Sequence, residues 1–297
     1  INYIKIQNFL RMRICGQEIQ TVSTIKDSMD RLIHQMWDKE PVPEKLLKWR
    51  KTWEKYHPDW QFTFWNLDEM HQFIEKKYNW FYETFVEYPT LIQKIDSFRY
   101  FLLYEYGGLY ADLDIECFKN VEPLIDRDCV LFQTHPEYQM KKIIDADNRE
   151  HPLRKHFPLQ KLAKGYFLTN SIFYSTRGNR FMKKCIDNLQ ESYEESKRYR
   201  FTEFDFLNKS KECNTHAMMS TSGGFLTKMF FKYGRVYDVK DSSYNFFEPY
   251  DHETRKKMHS FFGPYKHEER KKMVGTKDFN NKDLYGMHWN LGSWITL

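Results

Sequence analysis

The chain has 297 residues, of which 41% are hydrophobic and 18% aromatic, and this composition excludes an intrinsically disordered protein. Its 46 basic and 41 acidic residues leave a net charge of only +5, which is too small to indicate nucleic-acid binding. The five cysteines are scattered without a C-x-x-C pair, which argues against a disulfide framework or structural zinc and favours a reducing, cytoplasmic location.

No apolar run reaches the length of a membrane span, and the first residues do not resemble a signal peptide. Because the sequence begins at Ile1 rather than Met, a location in the Golgi lumen stays open if an anchor precedes this residue. Residues 1–30 are polar and mixed, so we expect an N-terminal extension there and a single domain over residues 31–297. Nothing in the sequence indicates an oligomeric state.

The first predicted elements alternate between strands and helices. Residues Arg31–Trp37 are predicted to form a strand, Lys45–Tyr56 a helix, Trp60–Trp65 a second strand and Glu69–Lys77 a second helix. Asp68 directly precedes this second helix and is of a residue type preferred at the N-cap. Such an alternation is typical of an α/β fold.

The stretch from Pro89 to Asp114 predicts a helix, a sharp stop and a strand. Its apolar residues recur at helical spacing after Pro89, and the pair Gly107 and Gly108 ends the helix. Residues Leu109–Ile115 then alternate between apolar and polar positions, which predicts a strand.

The polar face of that predicted strand carries Tyr110, Asp112 and Asp114. Two carboxylates side by side repel each other unless a cation or hydrogen-bond donors lie between them. Oxygen ligands of this kind suit Mg²⁺ or Mn²⁺, although a solvated strand edge would show the same pattern. Asp96 and Arg99 lie one helical turn apart on the preceding helix, and their side chains can face the same site.

The second half of the chain predicts two more strands, a helix and two polar stretches. Glu116–Pro123 reads as a short strand that leads to a turn, Val130–Phe132 as a further strand, and Arg180–Glu195 as an amphipathic helix. Residues 135–164 read as a loop or helical insertion, which we expect to shape one side of the site. The basic run over residues 251–273 favours a solvated helix face over an acidic acceptor or membrane surface, because glutamates are interspersed.

The order Asp96-x-x-Arg99 followed by LYEYGGLYxDxD over residues 103–114 closely resembles the signature of family 32 glycosyltransferases. Residues 33–37 (IHQMW) and 170–175 (NSIFYS) resemble two further segments of that family. The resemblance implies a GT-A fold, which is a Rossmann-like mixed sheet flanked by helices with helical insertions. It also implies a UDP- or GDP-linked sugar donor, Mn²⁺ or Mg²⁺, and retention of anomeric configuration.

The resemblance assigns roles to the central residues. Asp114 would bind the metal, Asp112 would bind ribose or water on the metal or be a further metal ligand, and Tyr110 would flank the metal. Asp96 and Arg99 would hold the sugar hydroxyls. By the same analogy Asn170 would bond the donor sugar near the reacting carbon, and the alternative is an Asn that satisfies strand-end backbone groups.

The resemblance also implies a base-binding site. Trp37, at the end of the first strand, would stack on the nucleotide base, and the alternative is a core tryptophan that closes the strand. Asp68 would hydrogen-bond the base or ribose, and the alternative is the N-cap of the following helix.

The last segment, residues 285–294, resembles the closing motif of the family. We expect it to fold over the donor as a lid, with Gly286 and Gly292 as hinges. His288 would complete the metal or diphosphate shell, while Ser293 and Trp294 would donate hydrogen bonds to the β-phosphate. The alternative is a tail whose aromatic side chains cap the core.

The sequence therefore predicts a retaining, metal-dependent glycosyltransferase that moves a sugar from a nucleoside diphosphate to a hydroxyl of a glycan or glycoconjugate. Two other classes of protein share parts of this pattern. One is a nucleotide-sugar- or carbohydrate-binding module without turnover. The other is an Asp-x-Asp phosphatase, which usually has Thr or Val at the position that Glu116 occupies here.

Overall fold

The computed structural model describes residues 30–38, 41–136, 166–197, 217–250 and 283–289. The strands in these ranges are β1 (Leu32–Met36), β2 (Gln61–Trp65), β3 (Gly108–Ala111), β4 (Ile115–Cys117), β5 (Cys129–Gln133), β6 (Leu168–Ser175), β7 (Lys240–Ser242) and β8 (Gly286–His288). The α-helices are α1 (Glu44–Tyr56), α2 (Leu67–Lys77), α3 (Asn79–Glu87), α4 (Leu91–Tyr106), α5 (Arg180–Ser196) and α6 (Gly223–Tyr233).

The central sheet has the strand order β2-β1-β3-β6-β5-β7. Strand β1 runs parallel to β2 and β3, whereas β6 runs antiparallel to both β3 and β5. A separate two-stranded sheet pairs β4 with β8 in the antiparallel direction. The predicted α/β class with a mixed sheet flanked by helices is confirmed.

Helix α4 fills the centre of the molecule because eleven of its sixteen residues are buried. It ends at Tyr106, and the next two residues, Gly107 and Gly108, take positive φ angles of 65° and 100°. A Cβ atom on Gly108 would lie only 2.6 Å from the carbonyl oxygen of Leu32, so the backbone of β1 also requires glycine here. The predicted Gly-Gly stop is confirmed.

The strand predicted over residues 109–115 is confirmed for Leu109–Ala111, but its continuation to Ile115 is wrong. Strand β3 ends at Ala111, and a turn closed by a hydrogen bond from Ile115 N to Asp112 O (3.1 Å) separates it from β4. The chain thus leaves the central sheet and enters the small one. Because the partner of β4 is the distant strand β8, the local alternation of apolar residues cannot reveal this change of sheet.

The N-cap alternative for Asp68 is also wrong. Asn66 caps α2, since its side chain accepts a hydrogen bond from Glu69 N (2.9 Å) and the Glu69 carboxylate accepts one from Asn66 N (3.0 Å). Asp68 is the second residue of the helix and is exposed.

Several predicted segments lie outside the described residues. They are residues 1–29 of the N-terminal extension, most of the insertion at 135–164, the basic run at 251–273, and Gly292, Ser293 and Trp294. Within the described ranges, no helix combines the length and the apolar character that crossing a membrane requires.

Candidate active site

The turn between β3 and β4, residues 112–114, connects the central sheet to the small sheet and carries Asp112 and Asp114. We call it the acidic turn. Strand β8 brings His288 to it, because Ile115 pairs with His288 and the backbone N–H of Trp289 donates to Asp114 O at 3.0 Å. His288 Nε2 consequently lies 3.3 Å from Asp114 Oδ1.

One ligand atom from each of Asp112, Asp114 and His288 lies within 4.8 Å of the other two. Two carboxylates and one imidazole form a donor set that suits Mn²⁺, and carboxylates also suit Mg²⁺. These three residues therefore fit a divalent cation. The sequence predicted all three as ligands, and the structure brings them together.

His288 lies between two buried carboxylates. Its Nε2 faces Asp114, while Nδ1 lies 2.9 Å from Glu248 Oε1. Burial lowers the pKa of His288, but the two carboxylates outweigh burial and raise it to about 10. In the absence of a metal ion, the charged ring balances the carboxylates.

Arg99 connects helix α4 to the acidic turn. Its guanidinium lies 3.1 Å from Asp96 Oδ1 and 3.0 Å from Asp112 Oδ1, and Nη1 donates to the carbonyl oxygen of Asn170 at 2.6 Å. The same guanidinium stacks on the Tyr110 ring, 4.4 Å from its centroid, and the Tyr110 hydroxyl donates to Asp112 Oδ1. Arg99 and Tyr110 thereby fix the orientation of the Asp112 carboxylate.

Burial and charge oppose each other in this network. Burial raises the pKa of Asp96 to about 6 even though Arg99 lowers it. Burial also raises the pKa of Asp112, against the same guanidinium. For Arg99, burial lowers the pKa, but the two carboxylates outweigh it and keep the side chain charged.

Three buried polar atoms of this network have no hydrogen-bond partner among the described residues. They are Asp96 Oδ2, Arg99 Nε and Asn170 Nδ2. The Ser222 hydroxyl donates to Asn170 Oδ1 at 3.1 Å, and both side chains lower the pKa of Asp96 by hydrogen bonding to its carboxylate. One acceptor and two donors of this buried network therefore lack a hydrogen bond of good geometry among the described residues.

Trp37 follows β1 and is partly buried. Its backbone N–H donates to Trp65 O at 3.0 Å, and its side chain packs on a cluster that includes Leu113 of the acidic turn, Trp49 and Trp289. Asp68, by contrast, is exposed on the first turn of α2, and no hydrogen bond between described residues joins it to the acidic turn.

The sequence missed Thr134, Ser222 and Glu248. Ser222 left a signal, since it stands in a segment (TSGGFLT, residues 221–227) that resembles a motif of the family but departs from it. Glu248 gave no such sequence signal, because it is a lone acidic residue in an aromatic stretch.

Gly286, predicted as a hinge, instead begins β8, and a Cβ there would lie 2.6 Å from Glu116 O.

Comparison with known proteins finds a family model that matches part of this chain. Residues 43–131 match the model described as "Glycosyltransferase sugar-binding region containing DXD motif". The matched range contains Asp96, Arg99, Asp112 and Asp114, so the resemblance seen in the sequence is confirmed.

The chain is similar to inositol phosphoceramide mannosyltransferase 1 of Schizosaccharomyces pombe, with 41% identity over 104 residues, 34% of this chain and 33% of that protein. It is also similar to mannosyl phosphorylinositol ceramide synthase SUR1 of Saccharomyces cerevisiae, with 36% identity over 106 residues, 36% of this chain and 28% of that protein. The matches span about a third of the length of these curated relatives.

The fold is similar to a solved structure, the UDP-bound glycosyltransferase domain from the YGT toxin. The similarity covers 72% of this chain and 79% of that chain. With a TM-score of 0.44 and 10% identity, it is too distant to assign a function.

Proposed function

We propose that this chain transfers a sugar from a nucleoside diphosphate to an acceptor hydroxyl. The first support is that residues 43–131 match the sugar-binding region of DXD-containing glycosyltransferases. The observation that carries the proposal is the cluster of Asp112, Asp114 and His288 within 4.8 Å, built on the DXD motif itself.

The three clustered side chains would hold Mn²⁺ or Mg²⁺. When bound, the cation would neutralise the negative charge that accumulates on the diphosphate as the glycosidic bond breaks. Asp112 is held by Arg99 and Tyr110, so its carboxylate is oriented before any ligand arrives.

Asp96, Arg99 and Asn170 would bind the sugar. The support for this role is their unpartnered polar atoms, which offer one acceptor and two donors to hydroxyl groups. Fixing the ring at these atoms would orient the anomeric carbon for attack. Because both Asp96 and Asp112 are engaged by Arg99, we infer same-face displacement assisted by the leaving phosphate, with retained configuration, rather than a covalent carboxylate intermediate.

The proposed sugar is mannose and the proposed acceptor is an inositol hydroxyl of an inositol phosphoceramide. The support is that the relatives are named inositol phosphoceramide mannosyltransferases and mannosyl phosphorylinositol ceramide synthases. Trp37 and Asp68 are proposed to bind the nucleotide, and Ser293 with Trp294 to close over the β-phosphate.

The test is turnover of GDP- and UDP-linked sugars with Mn²⁺, with and without an inositol phosphoceramide acceptor. We expect mannosyl transfer to the acceptor, with the anomeric configuration of the product read by NMR. Asp114→Asn should abolish metal-dependent turnover and leave the melting temperature close to that of the wild type. Full activity of Asp114→Asn would contradict the metal site.

Donor binding without hydrolysis or transfer would indicate a binding module instead. Release of phosphate from simple phosphoesters would indicate a phosphatase.

A further inference from the structure

We propose that Glu248 is a positioning residue that orients His288 for the cation site. The inference rests on the proposed function, because it concerns the metal that this function requires. Glu248 lies outside the segment that matches the glycosyltransferase family, and it is not one of the three residues that would hold the cation. Its effect would be transmitted entirely through the imidazole ring.

The first step is the position of Glu248 relative to His288. Oε1 of Glu248 lies 2.9 Å from Nδ1 of His288, and Nε2 of the same ring lies 3.3 Å from Asp114 Oδ1. Both the histidine and the glutamate are buried, with 8% and 3% exposure, so solvent does not compete for this bond. The ring therefore has one nitrogen facing the acidic turn and the other facing Glu248.

The second step is the proton on the ring. A carboxylate only accepts hydrogen bonds, so Nδ1 must carry the hydrogen that it donates to Glu248. A neutral ring then has its lone pair on Nε2, which is the nitrogen that faces Asp114. Glu248 thus selects the tautomer that can bind a metal ion at the acidic turn, and it makes that nitrogen more basic.

The third step is the rigidity of Glu248 itself. Its second oxygen, Oε2, accepts a hydrogen bond from the hydroxyl of Thr134, which directly follows β5. The backbone is fixed as well, since Glu248 N donates to Tyr244 O at 2.8 Å and His288 N donates to Phe247 O at 3.0 Å. The central sheet consequently sets the direction of the histidine through Thr134 and Glu248.

The experiment measures Mn²⁺ affinity of the full chain by calorimetry. Glu248→Ala should lower the affinity by about 10–100-fold, which is the usual effect of removing a residue that orients a metal-binding histidine. Glu248→Gln keeps an acceptor oxygen and should bind Mn²⁺ nearly as tightly as the wild type. Thr134→Val should cause a smaller loss than Glu248→Ala, because the glutamate stays but is no longer held.

The matched control is Glu122→Ala. Glu122 is also a carboxylate bonded to side chains of other elements, but its partners are Arg31 and Trp60, at 3.0 and 2.9 Å. Its removal should leave Mn²⁺ affinity unchanged even if it lowers the melting temperature. A general loss of stability is thereby separated from a loss of orientation.

A second readout reports the tautomer directly. Long-range ¹H–¹⁵N NMR of the Mg²⁺-loaded protein should show the His288 proton on Nδ1, with the downfield shift of a hydrogen-bonded proton, in the wild type and in Glu248→Gln. In Glu248→Ala this proton should lose that shift, because its acceptor is gone. A proton on Nε2 in the wild type, or wild-type Mn²⁺ affinity in Glu248→Ala, would overturn this inference and leave the proposed function standing. If the wild type binds no Mn²⁺, both fail.

Discussion

At the scale of single residues, two tryptophans that share one cluster should behave differently. Trp37 is partly buried beside the acidic turn, whereas Trp49 is 1% exposed and stacks on Trp289 with a centroid distance of 6.1 Å. A ring with a free face can stack on a nucleotide base, and a ring enclosed on both faces cannot. The difference in burial therefore separates a binding role from a core role.

We expect Trp37→Ala to weaken nucleotide binding by about 1–3 kcal/mol, which is typical of base stacking on aromatic side chains. Trp49→Ala should instead cost about 3–5 kcal/mol of folding free energy, because it leaves a cavity. Nucleotide titration and thermal melting of both variants distinguish these effects. Lost stability with unchanged nucleotide affinity in Trp37→Ala would make Trp37 a core residue.

His34 should make the stability of the protein depend on pH. Burial lowers its pKa from 6.5 to about 4, although the hydrogen bond to Gly107 O raises it. The neutral ring is satisfied on both sides, because Nε2 lies 2.7 Å from Gly107 O and Nδ1 lies 2.6 Å from the Thr63 hydroxyl. Protonation would turn both ring nitrogens into donors, whereas the carbonyl oxygen of Gly107 is the one clear acceptor beside the ring.

The sign of the effect follows from proton binding. Between pH 6.5 and about 4 the unfolded state binds a proton at His34 that the folded state does not, so stability falls as the pH falls through this range. The shift corresponds to a loss of up to about 3 kcal/mol at the low end. We expect His34→Gln, measured by urea unfolding across this range, to lose less stability than the wild type on acidification. Parallel curves for the two proteins would contradict the prediction.

At the scale of elements, the pairing of β4 with β8 determines where His288 lies. Gly286 stands opposite Cys117 in this pairing, and a Cβ on it would lie 2.6 Å from the carbonyl oxygen of Glu116. Backbone cannot move aside as a flexible side chain can. A methyl group at this position should therefore push β8 away and displace His288, two residues later.

We expect Gly286→Ala to cost about 1–3 kcal/mol of stability, as overpacking does, and to weaken Mn²⁺ binding as well. Gly178→Ala is the matched control, because nothing lies within 4 Å of its Cβ position and only its φ of 71° is unfavourable. That control should lose about 1–2 kcal/mol of stability and keep its Mn²⁺ affinity. Calorimetry and melting of both variants test the prediction, and equal Mn²⁺ affinity in Gly286→Ala would refute it.

At the scale of the whole molecule, the end of the chain completes a site whose other parts lie near the middle. A chain ending at residue 282 lacks β8 and His288, so we expect it to lose Mn²⁺ binding. A chain ending at residue 289 keeps both but lacks Ser293 and Trp294. We expect this longer chain to bind Mn²⁺ and to lose most of its turnover, because contacts that strengthen as the leaving phosphate gains charge act mainly on kcat.

The two truncations are measured together by calorimetry with Mn²⁺ and by donor turnover. Wild-type turnover in the chain ending at 289 would show that Ser293 and Trp294 are not needed. Mn²⁺ binding of wild-type strength in the chain ending at 282 would show that His288 is not a ligand.

The sequence by itself determined most elements and the candidate cation ligands of the site. Amphipathic spacing predicted α1 and α5 to within one residue, and the Gly-Gly pair marked the end of α4, because these signals depend on neighbours along the chain. The i,i+3 spacing likewise predicted that Asp96 and Arg99 share one face of α4, where the structure shows them paired. The acidic residues were found through a motif whose spacing is local.

Only the tertiary structure decided how these parts meet. The change of sheet after Ala111, the pairing of β8 with β4 and the contact of Glu248 with His288 all join segments far apart in the chain. Local alternation at residues 109–115 is compatible with one strand or with two, and the choice depends on which distant backbone offers hydrogen bonds. A lone glutamate has no local pattern at all, so its role becomes visible only when the fold places a histidine beside it.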